Sequence, residues 1–251
     1  MLHFAGIIPA RYASTRFPGK PLVEIKGKTM IERVYNQASK VLQTVCVATD
    51  DNRIADEVKR FGGKVIMTSP NHQSGTDRCA EAISLLQMET NSKFDVVINI
   101  QGDEPFIKPE QLQKLMSCFI QPETQIATLI KPISSNEDIF NANCVKAIVD
   151  KNKRAMYFSR SPIPYLRNKE QSEWEKHHTF YKHLGIYAYR THVLAEITQL
   201  SQSALELSES LEQLRWLENG YHVMAETTDF ESIAIDTPED LLKVNALKFI
   251  D

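Results

Sequence analysis

Glycine is scarce in this chain. Nine occur in 251 residues, about half the usual ~7% share, so each is expected where the backbone itself needs it. Gly27, Gly62, Gly63 and Gly220 fall where helices or strands must turn, while Gly6, Gly19, Gly75, Gly102 and Gly185 lie inside or beside polar clusters. Cysteine is sparse too. Cys46, Cys79, Cys118 and Cys144 are widely spaced, without a C-x-x-C, which argues against zinc or disulfide frameworks and for buried thiols in a reducing compartment. No apolar run approaches the length of a membrane helix. A net charge of −3 lacks the basic surplus that a nucleic-acid partner requires. The opening Met1-Leu2-His3-Phe4 has no basic region or cleavage site, so a cytoplasmic protein with no membrane partner is expected. Neither G-x-x-x-x-G-K-[ST] nor G-x-G-x-x-G is present, and there are no repeats or low-complexity tracts.

What the chain does have is an apolar run, Phe4 to Pro9, that stops abruptly and feeds Ala10-Arg11-Tyr12-Ala13-Ser14-Thr15-Arg16-Phe17-Pro18-Gly19-Lys20-Pro21. A buried strand followed at once by Arg11, Arg16 and Lys20 suits a multiply charged anion such as a nucleoside triphosphate. That is the ligand position of an α/β sheet. The alternative is a surface turn with solvated charges.

Downstream, helical spacing over 30–40 and 53–61 alternates with apolar strands at 44–49, 64–68 and 95–100, predicting a mostly parallel sheet with helices on both faces. Thr76 is expected to cap a helix over 77–87, and Pro109 to open another. From Gln125 the pattern turns strand-rich, with strands expected over 125–133, 144–149, 155–159 and 183–189. A charged, mobile loop is expected over 168–178, and one amphipathic helix over 205–219. Strands over 221–226 and 232–235 precede a helix capped by Thr237. The length fits one domain, 1–251, whose segment of about 125–220 forms a lid or subunit contact.

Two aspartates stand just past apolar strands: Asp103 in Gln101-Gly102-Asp103-Glu104-Pro105, and Asp236 in Ile235-Asp236-Thr237-Pro238. If both strands point the same way, the carboxylates meet at one rim and could hold a divalent cation against phosphate. Each could also be an ordinary turn or capping residue. Ser74-Gly75-Thr76-Asp77-Arg78 sets hydroxyls and backbone donors before a helix N-terminus, with an arginine one turn in. His183 and Tyr187 share a strand face around Gly185, and Arg160, Glu209, Glu212 and Arg215 are further candidates beside a solvated-helix explanation.

These segments together resemble a known family. Ile8-Pro9-Ala10-Arg11-Tyr12-Ala13-Ser14-Thr15-Arg16, Val47-Ala48-Thr49-Asp50, His72 to Arg78, Asn99 to Pro105, Tyr157-Phe158-Ser159-Arg160, His183 to Tyr187, Leu211 to Arg215 and Ile235 to Asp240 run in the order found in the sugar-acid cytidylyltransferases, most closely the CMP-KDO synthetases (3-deoxy-manno-octulosonate, KDO, cytidylyltransferases). The resemblance implies a three-layer α/β/α, nucleotide-diphospho-sugar-transferase-like (Rossmann-like) fold, a homodimer, Mg²⁺, and the reaction CTP + KDO → CMP-KDO + diphosphate, a step of lipopolysaccharide biosynthesis. It implies that Arg11 and Lys20 hold the triphosphate, with Ala10, Ser14, Thr15 and Arg16 completing the loop. Asp103 and Asp236 would hold the metal, Ser74, Gly75 and Arg78 the nucleotide or sugar, and Gln101, Arg160, His183, Tyr187 and Glu212 the sugar acid. A related acid, such as an 8-amino KDO analogue or a sialic-acid-like sugar, would leave the loop and metal residues unchanged. A non-catalytic nucleotide-binding module is the reading from another class.

Overall fold

The computed structural model describes residues 2–13 and 17–246. The predicted Ser14, Thr15 and Arg16 therefore lie outside the described residues.

In chain order the elements are β1 (Phe4–Ala10), β2 (Glu24–Ile25), β3 (Lys28–Thr29), α1 (Met30–Ser39), β4 (Thr44–Thr49), α2 (Asn52–Arg60), β5 (Val65–Met67), α3 (Gly75–Thr90), β6 (Val96–Asn99) and α4 (Pro109–Cys118). They continue with β7 (Ile126–Pro132), α5 (Asn136–Phe140), β8 (Lys146–Val149), β9 (Ala155–Ser159), α6 (Trp174–His177), β10 (Tyr181–Arg190), α7 (Thr191–Ile197), α8 (Ala204–Glu209), α9 (Glu212–Glu218), β11 (Val223–Thr227) and α10 (Pro238–Ala246). They fall into two compact units, one of residues 1–113 with 232–251, the other of 114–231.

In the first unit the strands lie in the order β6-β1-β4-β5, all parallel. Their residues are almost wholly buried and aliphatic, as strands covered on both faces must be. The chain steps from β1 outward through β4 and β5, then returns past β1 to β6. Because crossovers are right-handed, the helices of the outward and return paths leave the sheet on opposite faces, and the carboxyl ends of β1 and β6 part into a crevice. A smaller apolar cluster of Ile25, Met30, Ile235 and Val244, with Phe17 and Phe106 against it, ties α10 back onto this unit.

The second unit is mixed. β11 pairs parallel with β7, β7 antiparallel with β10, β10 with β8, and β8 with β9.

Several local expectations need correction. The 168–178 stretch is not an open loop: it holds α6, whose Trp174 is 1% exposed and packs with Ile139 and Phe180. The helix expected over 205–219 is broken at Ser210, which sits at φ +51°, into α8 and α9. Residues 232–235 form no strand, although Ile235 is buried. The cap of α3 is Ser74, not Thr76: the Ser74 hydroxyl accepts from the Asp77 amide while the Asp77 carboxylate accepts from the Ser74 amide. Among the described residues no helix is long and apolar enough to cross a membrane.

Candidate active site

At the crevice of the first unit, β1 ends in Pro9-Ala10 and delivers Arg11, whose side chain is exposed, to the rim. The chain returns through Gly19, held in the left-handed region at φ +71°, into a short turn that starts with Lys20. A left-handed residue is nearly cost-free as glycine and strained otherwise, which accounts for one of the nine.

The opposite wall follows β6. After Asn99 the chain turns sharply at Gln101-Gly102-Asp103, so close to β1 that a Cβ on Gly102 would lie 3.0 Å from the Pro9 carbonyl oxygen. Glycine here lets the turn press against β1 and fixes where Asp103 projects. The segment before α10 docks beside it: the Ile235 amide donates to the Asp103 carbonyl at 3.0 Å. Asp236 is thereby set next to Asp103 across more than a hundred residues of chain. Asp240 accepts from the Asp236 and Thr237 amides, capping α10 behind it.

The result is a charge triad. Lys20 Nζ lies 2.7 Å from Asp103 Oδ2 and 3.0 Å from Asp236 Oδ1. Two carboxylates brought within reach of one ammonium repel each other unless a cation stays between them. Among the described residues no third carboxylate, histidine or cysteine joins them as a metal-binding group.

The cleft is completed by the start of α3. Gly75 abuts the Pro9 ring, where a Cβ would make contact at 3.4 Å. Amides in the first turn of a helix have no acceptor four residues back and favour anions. Arg78, 5% exposed, lies below, donating to Thr68 Oγ1 at 2.6 Å and ion-paired to Asp50 at 3.2 Å. The structure thus brings Ala10, Arg11, Lys20, Ser74, Gly75, Arg78, Gln101, Asp103 and Asp236 around one cleft. His72 and Gln73 also line it and were not foreseen as site residues individually. His72 Nε2 is bonded to Glu81 on α3, and Glu81 also accepts from the Ser69 amide. Burial works against the Glu81 carboxylate, but these contacts outweigh it and hold it below the usual range. The signals available for His72 were the polarity of the Ser69–Gly75 loop and its place in the His72 to Arg78 block of the family resemblance.

The remaining predicted residues belong to the second unit. His183 and Tyr187 do share a face, with ring centroids 5.3 Å apart, across a bulge in β10. Burial drives the His183 imidazole down to about 3. The Thr128 hydroxyl can donate only once and lies 2.8 Å from the Ile186 carbonyl and 3.0 Å from His183 Nε2. With that hydroxyl donating to the carbonyl, the neutral imidazole donates from Nε2 and leaves Nδ1 as an acceptor. Tyr187 packs edge-on to Trp216, and its hydroxyl has no hydrogen-bond partner among the described residues. Burial, then the Glu212 carboxylate, push its phenol well above the ordinary value, placing Glu212 in the same cluster.

Arg160 and Arg215 are engaged otherwise. Arg160 donates from Nε to the Glu209 carbonyl at 2.7 Å, and from Nη1 and Nη2 to the carbonyls of Ala142 and Ser210. Glu209 accepts from the Ser159 hydroxyl at 2.6 Å and the Arg160 amide at 2.9 Å. Arg215 makes a two-pronged ion pair with Glu206, at 2.5 and 2.7 Å, both side chains nearly buried.

Against this geometry, a family model described as cytidylyltransferase matches residues 5–233. The chain belongs to the cytidylyltransferase family. This cytidylyltransferase is 60% identical to a 3-deoxy-manno-octulosonate cytidylyltransferase of Parabacteroides distasonis, over 100% of this chain and 99% of the relative. It is 58% identical to the enzyme of the same name from Bacteroides thetaiotaomicron, over 96% of each chain. Among solved structures it is similar to a CMP:2-keto-3-deoxy-manno-octonic acid synthetase complexed with CTP, with TM-score 0.88, 42% identity and 97% of each chain covered. A 4-diphosphocytidyl-2C-methyl-D-erythritol synthase from Anaerococcus prevotii, at TM-score 0.62 and 14% identity, shares the fold. The expected α/β fold of nucleotidyltransferase type is thereby established.

Proposed function

We propose that this cytidylyltransferase activates KDO, transferring CMP from CTP to the anomeric 2-hydroxyl of the sugar with release of diphosphate. The observation that carries the reading is the joining of Asp103 and Asp236 by Lys20 in a cleft that also contains Arg11 and the start of α3. Full-length identity to relatives named for this reaction supports it.

In the step, the sugar oxygen bonds to the α-phosphorus, the bond to the β-phosphate oxygen breaks, and diphosphate leaves with the electron pair while the hydroxyl proton passes to water. Both reactants are anionic, so the barrier is largely electrostatic and orientational. Arg11 and Lys20 neutralise the triphosphate and the departing diphosphate. Amides at the start of α3 and the turn at Gln101 fix the ligand, while the buried Arg78, tied to Thr68 and Asp50, stiffens the cleft floor. His183, Tyr187 and Glu212 are the proposed sugar-acid contacts: an acceptor at Nδ1, an unpartnered phenol hydroxyl and a carboxylate suit a polyhydroxylated ligand. Arg160 belongs to this proposal through the loops its guanidinium pins, at residues 142 and 209–210.

Asp103 and Asp236 fit a hard divalent cation, since two convergent carboxylate oxygens leave positions for phosphate and water. Mg²⁺ bound there would supply Lewis-acid polarisation of phosphate and a lower pKa for a hydroxyl. The test is diphosphate release from purified protein with CTP, Mg²⁺ and KDO, beside sialic acid and an 8-amino analogue, with EDTA as control. Release requiring KDO, CTP and metal supports the reading; release only with another acid moves the substrate; no release with any acid refutes it.

A further inference from the structure

The two cations of the phosphate-side loop, Arg11 and Lys20, each have a neighbour in a contact that the proposed reaction does not use. Tyr12 follows Arg11 and Gly19 precedes Lys20. The Gly19 amide donates to the Tyr12 carbonyl at 3.0 Å. The Tyr12 ring lies so close to Gly19 that a Cβ there would sit 3.1 Å from its Cζ.

Over the same ring stands the Arg53 guanidinium, its carbon 3.3 Å from the ring centroid. Arg53 is in the first turn of α2, and its guanidinium is itself fixed. Nε donates to Asp51 Oδ1 at 2.9 Å and Nη2 to Asp51 Oδ2 at 2.6 Å, while Oδ1 also caps the helix by accepting from the Arg53 amide. Asp51 comes two residues after the end of β4, which pairs directly with β1. The clamp is therefore a closed circuit: β1, Tyr12, Arg53, Asp51, β4 and back to β1.

We infer that Tyr12 and Arg53 act as a positioning pair that fixes the spacing of Arg11 and Lys20 and so tunes the affinity for the triphosphate. The inference rests on the reading that these two cations hold CTP. A flat guanidinium over an aromatic face is favourable, and a two-pronged bond to a carboxylate sets its plane, which an ammonium cannot imitate. An exposed ion pair of this kind adds little to global stability, so the contact belongs to the loop. Arg53 has a 59% exposed side chain. It is the Tyr12 ring and main-chain carbonyl that the device uses.

The experiment measures CTP binding by calorimetry without sugar, then initial rates with CTP and KDO varied separately, on the full-length protein and its variants. Arg53→Ala and Tyr12→Leu are each expected to raise the Kd and KM for CTP about five- to twentyfold. The KM for KDO should stay within about twofold and the melting temperature within about 2 °C. Arg53→Lys should recover little, whereas Tyr12→Phe should match the parent within about twofold. The double variant should be no worse than the more affected single one, because both remove the same contact. Unchanged CTP affinity in Arg53→Ala, additive losses in the double variant, or an equal rise in both KM values overturns the clamp. A parent protein that binds no CTP refutes the functional reading itself and the inference with it, so the two failures are distinguishable.

Discussion

The buried imidazole of His183 makes acid sensitivity of the second unit calculable. In the folded chain it titrates near 3, pushed down by burial alone, with Thr128, Phe158 and Tyr187 around it. In the unfolded chain an ordinary histidine titrates near 6.5. Between these values the unfolded state binds a proton that the folded state refuses, so stability falls as pH drops below about 6.5 and the loss levels off near 3. At about 1.4 kcal/mol per pH unit, the loss between pH 7.5 and 5.0 is about 2 kcal/mol from this residue, a sizeable part of the ~5–15 kcal/mol that holds a typical domain together. His183→Gln keeps a donor for Thr128 and removes the titration. Both tryptophans, Trp174 and Trp216, are buried within 114–231, so intrinsic fluorescence follows this unit. Urea unfolding at the two pH values should show the parent losing about 2 kcal/mol more than His183→Gln. Equal losses in both proteins would refute the argument, because every other titrating group is common to them.

Asp103→Asn and Asp236→Asn should each lower kcat by about two to four orders of magnitude with an unchanged circular-dichroism spectrum; near-normal turnover in either would sink the metal assignment. Gly102→Ala must move the turn off the Pro9 carbonyl and displace Asp103, so kcat/KM should fall about tenfold or more, checked in the diphosphate assay with the melting temperature as control. Burial pushes the Cys46 and Cys118 thiols up to about 12. Neither should react with iodoacetamide at pH 8 until denaturant is added, and peptide mapping that finds either modified in native protein would contradict their burial.

The parallel strands were readable because they are continuous aliphatic runs, and the cleft because polar clusters follow their carboxyl ends. The carboxylate pair was legible as a conditional: Asp103 and Asp236 meet only if both segments reach one rim. They do so although 232–235 forms no ladder, the Ile235 amide bonding to the Asp103 carbonyl instead. The apolar residues at 232–235 predict a strand, but Ile233 is 43% exposed and Ile235 is the one that is buried. The 168–178 stretch misled because its charges outnumber the one residue, Trp174, that decides its packing.

At 205–219 the leucine spacing runs unbroken through Ser210, so periodicity could not reveal the turn. A straight helix would separate residues 206 and 215 by about 13 Å along its axis, too far for the ion pair that they make at 2.5 Å. The capping of α3 turned on Ser74 having both an acceptor hydroxyl and an Asp three residues on, a pairing that outranks Thr76.

The docking of the Ile235 amide on the Asp103 carbonyl also orders events in time. Asp103 leaves the ribosome well before Asp236, with all of 114–231 made in between. At about 5–20 residues per second that interval is on the order of ten seconds. Throughout it the nascent chain has Arg11 and Lys20 but only one carboxylate of the pair. Asp236 and α10 are the last parts of the first unit to be made, so an interrupted chain carries the Arg11 and Lys20 loop with Asp103 alone and, on the proposed function, lacks half of the carboxylate pair that the reaction needs.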